Sequence, residues 1–119
     1  MGSIQIKRIY DEPDPADGYR VLVDRLWPRG IKKEDAHIDL WLKEAGPSDG
    51  LRKEFGHDPD KFDDFARAYR KELRQSDAVQ VLLDAAEKHD QMTLLFGAKD
   101  EEHNQAVVLH EYLNAKLRP

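Results

Sequence analysis

The chain has 119 residues, 36% of them charged and 39% hydrophobic, with no cysteine and a formal net charge of −5. One core over residues 1–119 is expected, since a chain of this size buries roughly two-thirds of its unfolded surface. The lack of cysteine excludes disulfides, thiolate nucleophiles and Cys-ligated metals and suits a reducing cytoplasm, and no run approaches the roughly 20 apolar residues of a membrane span.

Residues 4–10, IQIKRIY, alternate in part and read as a strand. Residues 11–18, DEPDPADG, hold two prolines, a glycine and four acids, which predicts a solvated loop. Residues 19–26, YRVLVDRL, read as a strand buried on both faces, as in a parallel sheet, and Trp27-Pro28 ends it. From 32 to 56 the pattern is that of a broken helix. Ile38, Leu40, Trp41 and Leu42 form one piece, Leu51 and Phe55 another, with Gly46-Pro47 between them and Ser48 as N-cap of the second.

Asp58-Pro59 is a start signal, a capping residue followed by proline at the first helical position. Phe62, Phe65, Ala66, Tyr69 and Leu73 then line one helical face, and Asp77 is expected to cap a helix carrying Val79, Leu82, Leu83 and Ala86 inward. Residues 92–98, MTLLFGA, read as a third buried strand. A final helix over 102–117 turns Ala106, Leu109, Tyr112, Leu113 and Leu117 inward. Strands separated by helical crossovers imply an α/β domain: a small, mostly parallel sheet of three or more strands, covered by helices.

Ligands of such sheets bind beyond the carboxyl ends of the strands. Two segments fall there. The first carries Asp24, Arg25, Trp27 and Arg29, with Lys32 and Lys33 behind. The arginine forks suit carboxylate or phosphate, and the indole offers a stacking face. The alternative is that Trp27 plugs the core and Asp24 pairs with an arginine. The second segment carries Lys99, Asp100, His103 and Asn104 at the entry to the last helix. Its first-turn amides favour an anion, unless Asp100 caps them itself. His103 could move a proton there, or be structural. His57-Asp58 could be an oriented base, but the cap already accounts for Asp58. The five histidines show no metal-ligand spacing, so no metal residues are assigned, and the cofactor is unknown. There is no GxGxxG or other glycine-rich phosphate loop.

The strings IKRIYD, DGYRVLVDRLWPRGIKK, WLKEAGPS, LRKEFGHDP and LLFGAKDEEHNQAVVLHEYL span nearly the whole chain, and together they resemble the YeaO-like branch of the DUF488 family, a domain of unknown function. The resemblance implies a compact, cytoplasmic, mostly bacterial α/β protein and no established reaction. It places the family's characteristic polar positions on Asp24, Arg25, Arg29, Lys99, Asp100, His103 and Asn104. Some members carry transferred names such as a MarR-type regulator or a uroporphyrin-III C-methyltransferase. The mixed charge of the helices here and the missing cofactor loop support neither.

Two readings follow. In the first, a small anionic or nucleotide-like ligand binds at the strand ends, held by Arg25, Arg29 and Lys99 and walled by Trp27, with Asp100 or His103 moving a proton in an enzyme or a descendant of one. In the second, a non-catalytic module binds nucleic acid or protein through the basic residues of 25–33, although 24 acids against 19 bases disfavour phosphate coating. A purely structural DRLWPRG knot is the bland alternative. Oligomeric state is not encoded in any of these patterns.

Overall fold

The computed structural model describes residues 3–117. The apolar runs form β1 (Ser3–Arg8), β2 (Tyr19–Leu22) and β4 (Gln91–Phe96), and a short β3 (Leu40–Trp41) completes an all-parallel sheet in the order β1-β4-β2-β3. The helices are α1 (Lys33–Ala36), α2 (Asp49–Phe55), α3 (Phe62–Arg74), α4 (Ala78–Lys88) and α5 (Gln105–Leu117). The protein is therefore α/β, and among the described residues no helix is long and apolar enough to cross a membrane.

β4 is the last strand in sequence and a central one in space, so side chains on both its faces meet protein, and Met92 through Phe96 are at most 1% exposed. Val21, Val23, Leu94 and Phe96 pack with Tyr69, Leu82, Leu109 and Leu113 in the larger core, which α3, α4 and α5 cover. On the opposite face Leu22 and Leu95 meet Ile9 and Ala36, with Trp27, Ile31, Ile38 and Trp41 as a thin outer cover. Long helices thus cover one face, and one helical turn with two indoles covers the other.

The helical expectation for residues 38–42 is corrected. Leu40 and Trp41 pair in register with Val21 and Leu22, and the Leu42 amide donates to the Leu22 carbonyl at 2.9 Å. Leu40 and Leu42 face the larger core while Trp41 faces the smaller one, which is strand alternation. So short an apolar run carries too few periods to tell a strand from a helix. Its anchor is Asp39, whose carboxylate accepts from the Arg20 amide at 2.8 Å.

The helix starts divide. Ser48 caps α2 as expected, accepting from the Leu51 amide at 3.3 Å. Asp58 accepts from the Asp60 amide at 3.0 Å and, with Pro59, opens a single 3-10 turn that feeds α3. Asp77 makes no capping bond, because its own backbone is already helical; Ser76 Oγ accepts from the Ala78 amide instead.

The loop 11–18 is not wholly solvated. Asp17 is 2% exposed and pairs with Arg20, itself 5% exposed, and with Lys7 at 3.1 Å. Arg20 also donates to the His37 and Ala36 carbonyls, tying this loop to the far edge of the sheet. Thr93 Oγ1 donates to the Asp17 carbonyl at 2.7 Å. Gly18 follows at φ +66°, and a Cβ there would meet the Gln91 carbonyl at 2.2 Å, so only glycine lets the loop pass this close to β4. Burial by itself would raise the Asp17 carboxyl; the Asp14 amide and the Lys7 and Arg20 cations outweigh it and hold the group below its ordinary value. Asp17→Asn is expected to leave Arg20 buried without a counter-charge and to cost roughly 3–5 kcal/mol in urea unfolding at pH 7. A loss under 1 kcal/mol would show that the surrounding carbonyls suffice.

Candidate functional site

Beyond Leu22 and Phe96 the chain leaves the sheet on both β2 and β4, and because the connections diverge there a crevice opens between the two ends. It is a cavity of about 260 Å³. One wall comes from residues 24–29, another from Gly97, Ala98 and Gln105, and a third from Arg52, Phe55 and His57 of the α2 end with Phe65 of α3.

Asp24 stands at the seam. Its Oδ2 accepts from the Gly97 amide at 2.8 Å and its Oδ1 accepts from the Gln105 side-chain amide. Gly97 permits this approach, since a Cβ there would come within 3.0 Å of Oδ2. No basic side chain pairs with Asp24 among the described residues, so the Asp–Arg pair of the alternative reading is not formed. Burial pushes its carboxyl up to about 6, against a smaller lowering by the Gly97 amide.

Arg25 turns away from the carboxylate. Its Nε donates to the Pro47 carbonyl at 2.8 Å and its Nη2 to the Gly46 carbonyl at 3.0 Å, which clamps the turn before α2 to the end of β2. Tyr69 OH, from the core beneath, donates to the neighbouring Ala45 carbonyl. Burial, with the nearby Glu72 and Asp24 charges, raises this phenol well above its ordinary value, so it stays a donor. Trp27 does three things. Its indole packs edge-to-face on Trp41 at 5.2 Å and donates to the Ile31 carbonyl at 2.7 Å, while it also lines the cavity. Arg29 is anchored only by its backbone, whose carbonyl accepts from Tyr10 OH at 2.9 Å; its exposed guanidinium makes no ion pair among the described residues.

The second predicted segment is not gathered into the cavity. α5 begins at Gln105, three residues later than expected, and residues 100–104 form the approach to it. Asp100 Oδ1 accepts from the Glu102 and His103 amides, and its Oδ2 lies 2.9 Å from His103 Nδ1. The Glu102 amide leads in holding the Asp100 carboxyl below its ordinary value, over a small opposing desolvation, with the His103 side chain and amide adding to it. His103 stands edge-on to Phe62 at 5.2 Å. Asn104 is 1% exposed; it donates to the Asp100 carbonyl and accepts from the Val107 amide, so it is the residue that caps α5. Lys99 is exposed. Lys99, Asp100, His103 and Asn104 are all absent from the cavity wall, which takes Gly97, Ala98 and Gln105 from this segment instead.

Sequence reasoning missed Arg52, Gln105 and Tyr10 as cavity residues and set His57 aside. The structure marks His57 by its backbone: after Gly56 at φ +54°, it too is left-handed, at φ +58°. That conformation is uncommon for a residue with a side chain, and it turns the chain so that α2 and α3 present Arg52, His57 and Phe65 to one space. Among the described residues no group of three His, Asp or Glu side chains could hold a metal ion.

A family model described as "Inactive DUF488-N3 subclade" matches residues 3–119. The chain belongs to the DUF488 family. Within it, the chain is 44% identical over 113 residues to the protein named "Uncharacterized protein YeaO" of Escherichia coli K12, covering 95% of this chain and 98% of that one. It is 37% identical over 113 residues to an uncharacterised protein of Mycobacterium tuberculosis H37Rv and to one of Mycobacterium bovis, covering 95% of each chain. No solved structure matches this DUF488 chain.

The Asp24 environment has a measurable consequence for this DUF488 protein. The folded carboxyl titrates near 6 against 3.8 unfolded, so the native state binds the proton more tightly, and stability falls as pH rises from about 4 to about 7. At 1.36 kcal/mol per unit the full effect is ~3 kcal/mol, reduced by whatever solvent reaches the group. Asp24→Asn keeps an acceptor for Gly97 and is expected to flatten that slope, equalling or exceeding the wild type at pH 8. Equal slopes for both proteins in urea titrations at pH 5 and pH 8 would refute this account. Asp17 does not blur the window, because its depressed carboxyl contributes stability above its unfolded value of 3.8 and loses it only as pH falls below that.

Proposed function

We propose that this protein binds a small anionic or nucleotide-like ligand in the cavity between the ends of β2 and β4, does so without turning it over, and works in the cytoplasm. The carrying observation is the composition of that wall. Arg25, Arg29 and Arg52 line, together with His57, a cavity that Phe55, Phe65 and Trp27 also line, in a chain of net charge −5. Three arginines against the single carboxylate of Asp24 give the lining a basic surplus in an acidic molecule, and a cleft with apolar walls concentrates such a field. At about 260 Å³ the space lies just under the roughly 300–1,000 Å³ usual for ligand sites, which favours a nucleobase or a mononucleotide over a dinucleotide.

Binding without turnover is favoured by two facts. The matching family model carries the word "inactive" in its description. Asp100 and His103, the residues whose chemistry suits proton transfer, hold each other and the entry to α5, outside the cavity wall. In this reading they are structural, and Asp24 is the carboxylate of the wall. The basic stretch 25–33 gains no comparable support as a nucleic-acid surface, since Arg25 is turned onto backbone carbonyls and Glu34 and Asp35 follow Lys32 and Lys33 directly.

A thermal-shift series with nucleobases, nucleoside monophosphates and sugar phosphates tests this reading. A true ligand at about 100 times its Kd adds roughly 2.7 kcal/mol, seen as a raised Tm. Arg29→Ala should reduce that shift while leaving the ligand-free Tm nearly unchanged, because the fold uses only the Arg29 backbone. NMR of the mixture should show the ligand intact after hours. The reading is lost if no compound raises the Tm, or if the shift is the same in Arg29→Ala.

A further inference from the structure

Four arginines of the sheet and its connections meet different fates. Arg8 Nε donates to the Ala98 carbonyl, Arg20 Nε to the His37 carbonyl and Arg25 Nε to the Pro47 carbonyl, each at 2.8–2.9 Å. Arg52 Nε is also buried, yet it finds no acceptor among the described residues. Buried donors are almost always paired, and Arg52, a residue of the cavity wall, carries one that is not. The rest of the side chain is lightly committed: Nη2 reaches Asp49 at 3.2 Å, an i,i+3 pair whose carboxylate is 66% exposed and therefore contributes little.

The donor is also held in place. Arg52 lies one helical turn before Phe55, which is 6% exposed and stacks on Phe65 at 4.3 Å. Its own carbonyl accepts from Gly56 at 3.1 Å, which closes the end of α2. The stem of Arg52 is thus fixed by the packing of the short helix it sits on.

We propose that Arg52 is the oxyanion anchor of the cavity, taking a carboxylate or phosphate monoester side-on through its Nε–H and an Nη–H. This rests on the cavity being the ligand site, and it names the chemistry that site takes. A planar guanidinium edge offers two parallel donors matched to two oxygens, which a lysine ammonium does not. Arg25 has spent the equivalent edge on Gly46 and Pro47, so it walls the cavity without gripping the anion. Asp24, in the same cavity, accepts hydrogen bonds and repels a second anion. The ligand therefore carries its oxyanion towards Arg52 and N–H donors towards Asp24, with a planar, apolar middle against Phe55 and Trp27. A nucleobase bearing one acidic group has that pattern.

The test is isothermal titration of the full chain with adenosine monophosphate, adenosine, inorganic phosphate and benzoate. Wild-type protein should bind adenosine monophosphate more tightly than adenosine. Arg52→Gln should weaken the monophosphate roughly 10- to 100-fold, towards the affinity of adenosine, and leave adenosine unchanged. Arg52→Lys should weaken it as well, because it keeps the charge and loses the fork, whereas Arg67→Gln, exposed on α3, should have no effect. Phosphate and benzoate then separate a phosphate-selective anchor from a carboxylate-selective one, and both dependent on Arg52 would support a general oxyanion site. Without ligand, Arg52→Gln should melt at or above the wild-type temperature, since it removes an unsatisfied buried donor. A clear drop there would make Arg52 structural and overturn the proposal. It is equally overturned if Arg52→Gln binds the monophosphate like wild type while the cavity-filling Ala98→Trp abolishes binding; that result would leave the cavity reading standing. Should none of the four compounds bind wild-type protein, the cavity reading fails and the anchor falls with it.

Discussion

The insertion of β4 between β1 and β2 is the constraint on which the rest of this molecule depends. Six ladder pairs join it to β1 and four join it to β2, so the strand that comes last in the chain closes the sheet. A strand in that position must be apolar on both faces, and Met92, Leu94, Leu95 and Phe96 meet the requirement. The one buried polar group in its middle, Thr93, is hydrogen-bonded to the Asp17 carbonyl and to Gln5. The same insertion also places the cavity. β2 and β4 end side by side but continue into different elements, and the gap left between them is the cavity.

Charged residues in this protein divide by what holds them. Arg20 and Asp17 form a closed set with Lys7 and the Ala36 and His37 carbonyls, and Arg25 is saturated by two further carbonyls; these act as internal ties between loops that hold little regular structure. Arg29 and Arg52 stand apart, one without an ion pair among the described residues and the other with a buried nitrogen unpaired. Proximity in sequence does not separate the two kinds. Arg25 and Arg29 are four residues apart and do opposite things, because Arg25 still lies against the turn before α2 while Arg29 has passed onto the exposed loop.

That contrast explains how much was legible in the sequence. Elements with several periods or an explicit punctuation were readable: the apolar runs of β2 and β4, the Asp58-Pro59 entry to α3 with its Phe65, Tyr69 and Leu73 face, and the Ser48 cap. β3 was not, because two residues have no period and its place is decided by Asp39 and by the free edge of β2. The burial of Asp17 was hidden because composition marks 11–18 as loop, and only the tertiary partners Arg20 and Lys7 make an acid tolerable there. The strand-end rule led to the end of the sheet where the cavity opens and to residues 24–29 in its wall. The second segment lies outside that wall, since residues 100–104 are used up in starting α5, and the rule could not reach Arg52 or His57, which come to the cavity from the α2 end and the left-handed turn at Gly56 and His57.

Natural sequences satisfy local and global requirements together and depart from them mainly where function demands it. Three of the departures here share one place. A half-buried aspartate without a cation, an arginine with a buried nitrogen that has no acceptor, and His57, one of two left-handed histidines, all line one cavity, while the other, His37, closes α1. Elsewhere, comparable groups are matched: Asp17 has two cations, Asn104 both donates and accepts, and Tyr69 has its carbonyl. Each cavity departure lowers the stability of the empty protein, and a ligand offering an acceptor to Arg52 and donors to Asp24 would relieve two of them at once. Glutamine at 52 and asparagine at 24 would each remove one of them by a single substitution. Their conjunction in one small space is what the proposed ligand, with an acceptor at one end and donors at the other, would answer.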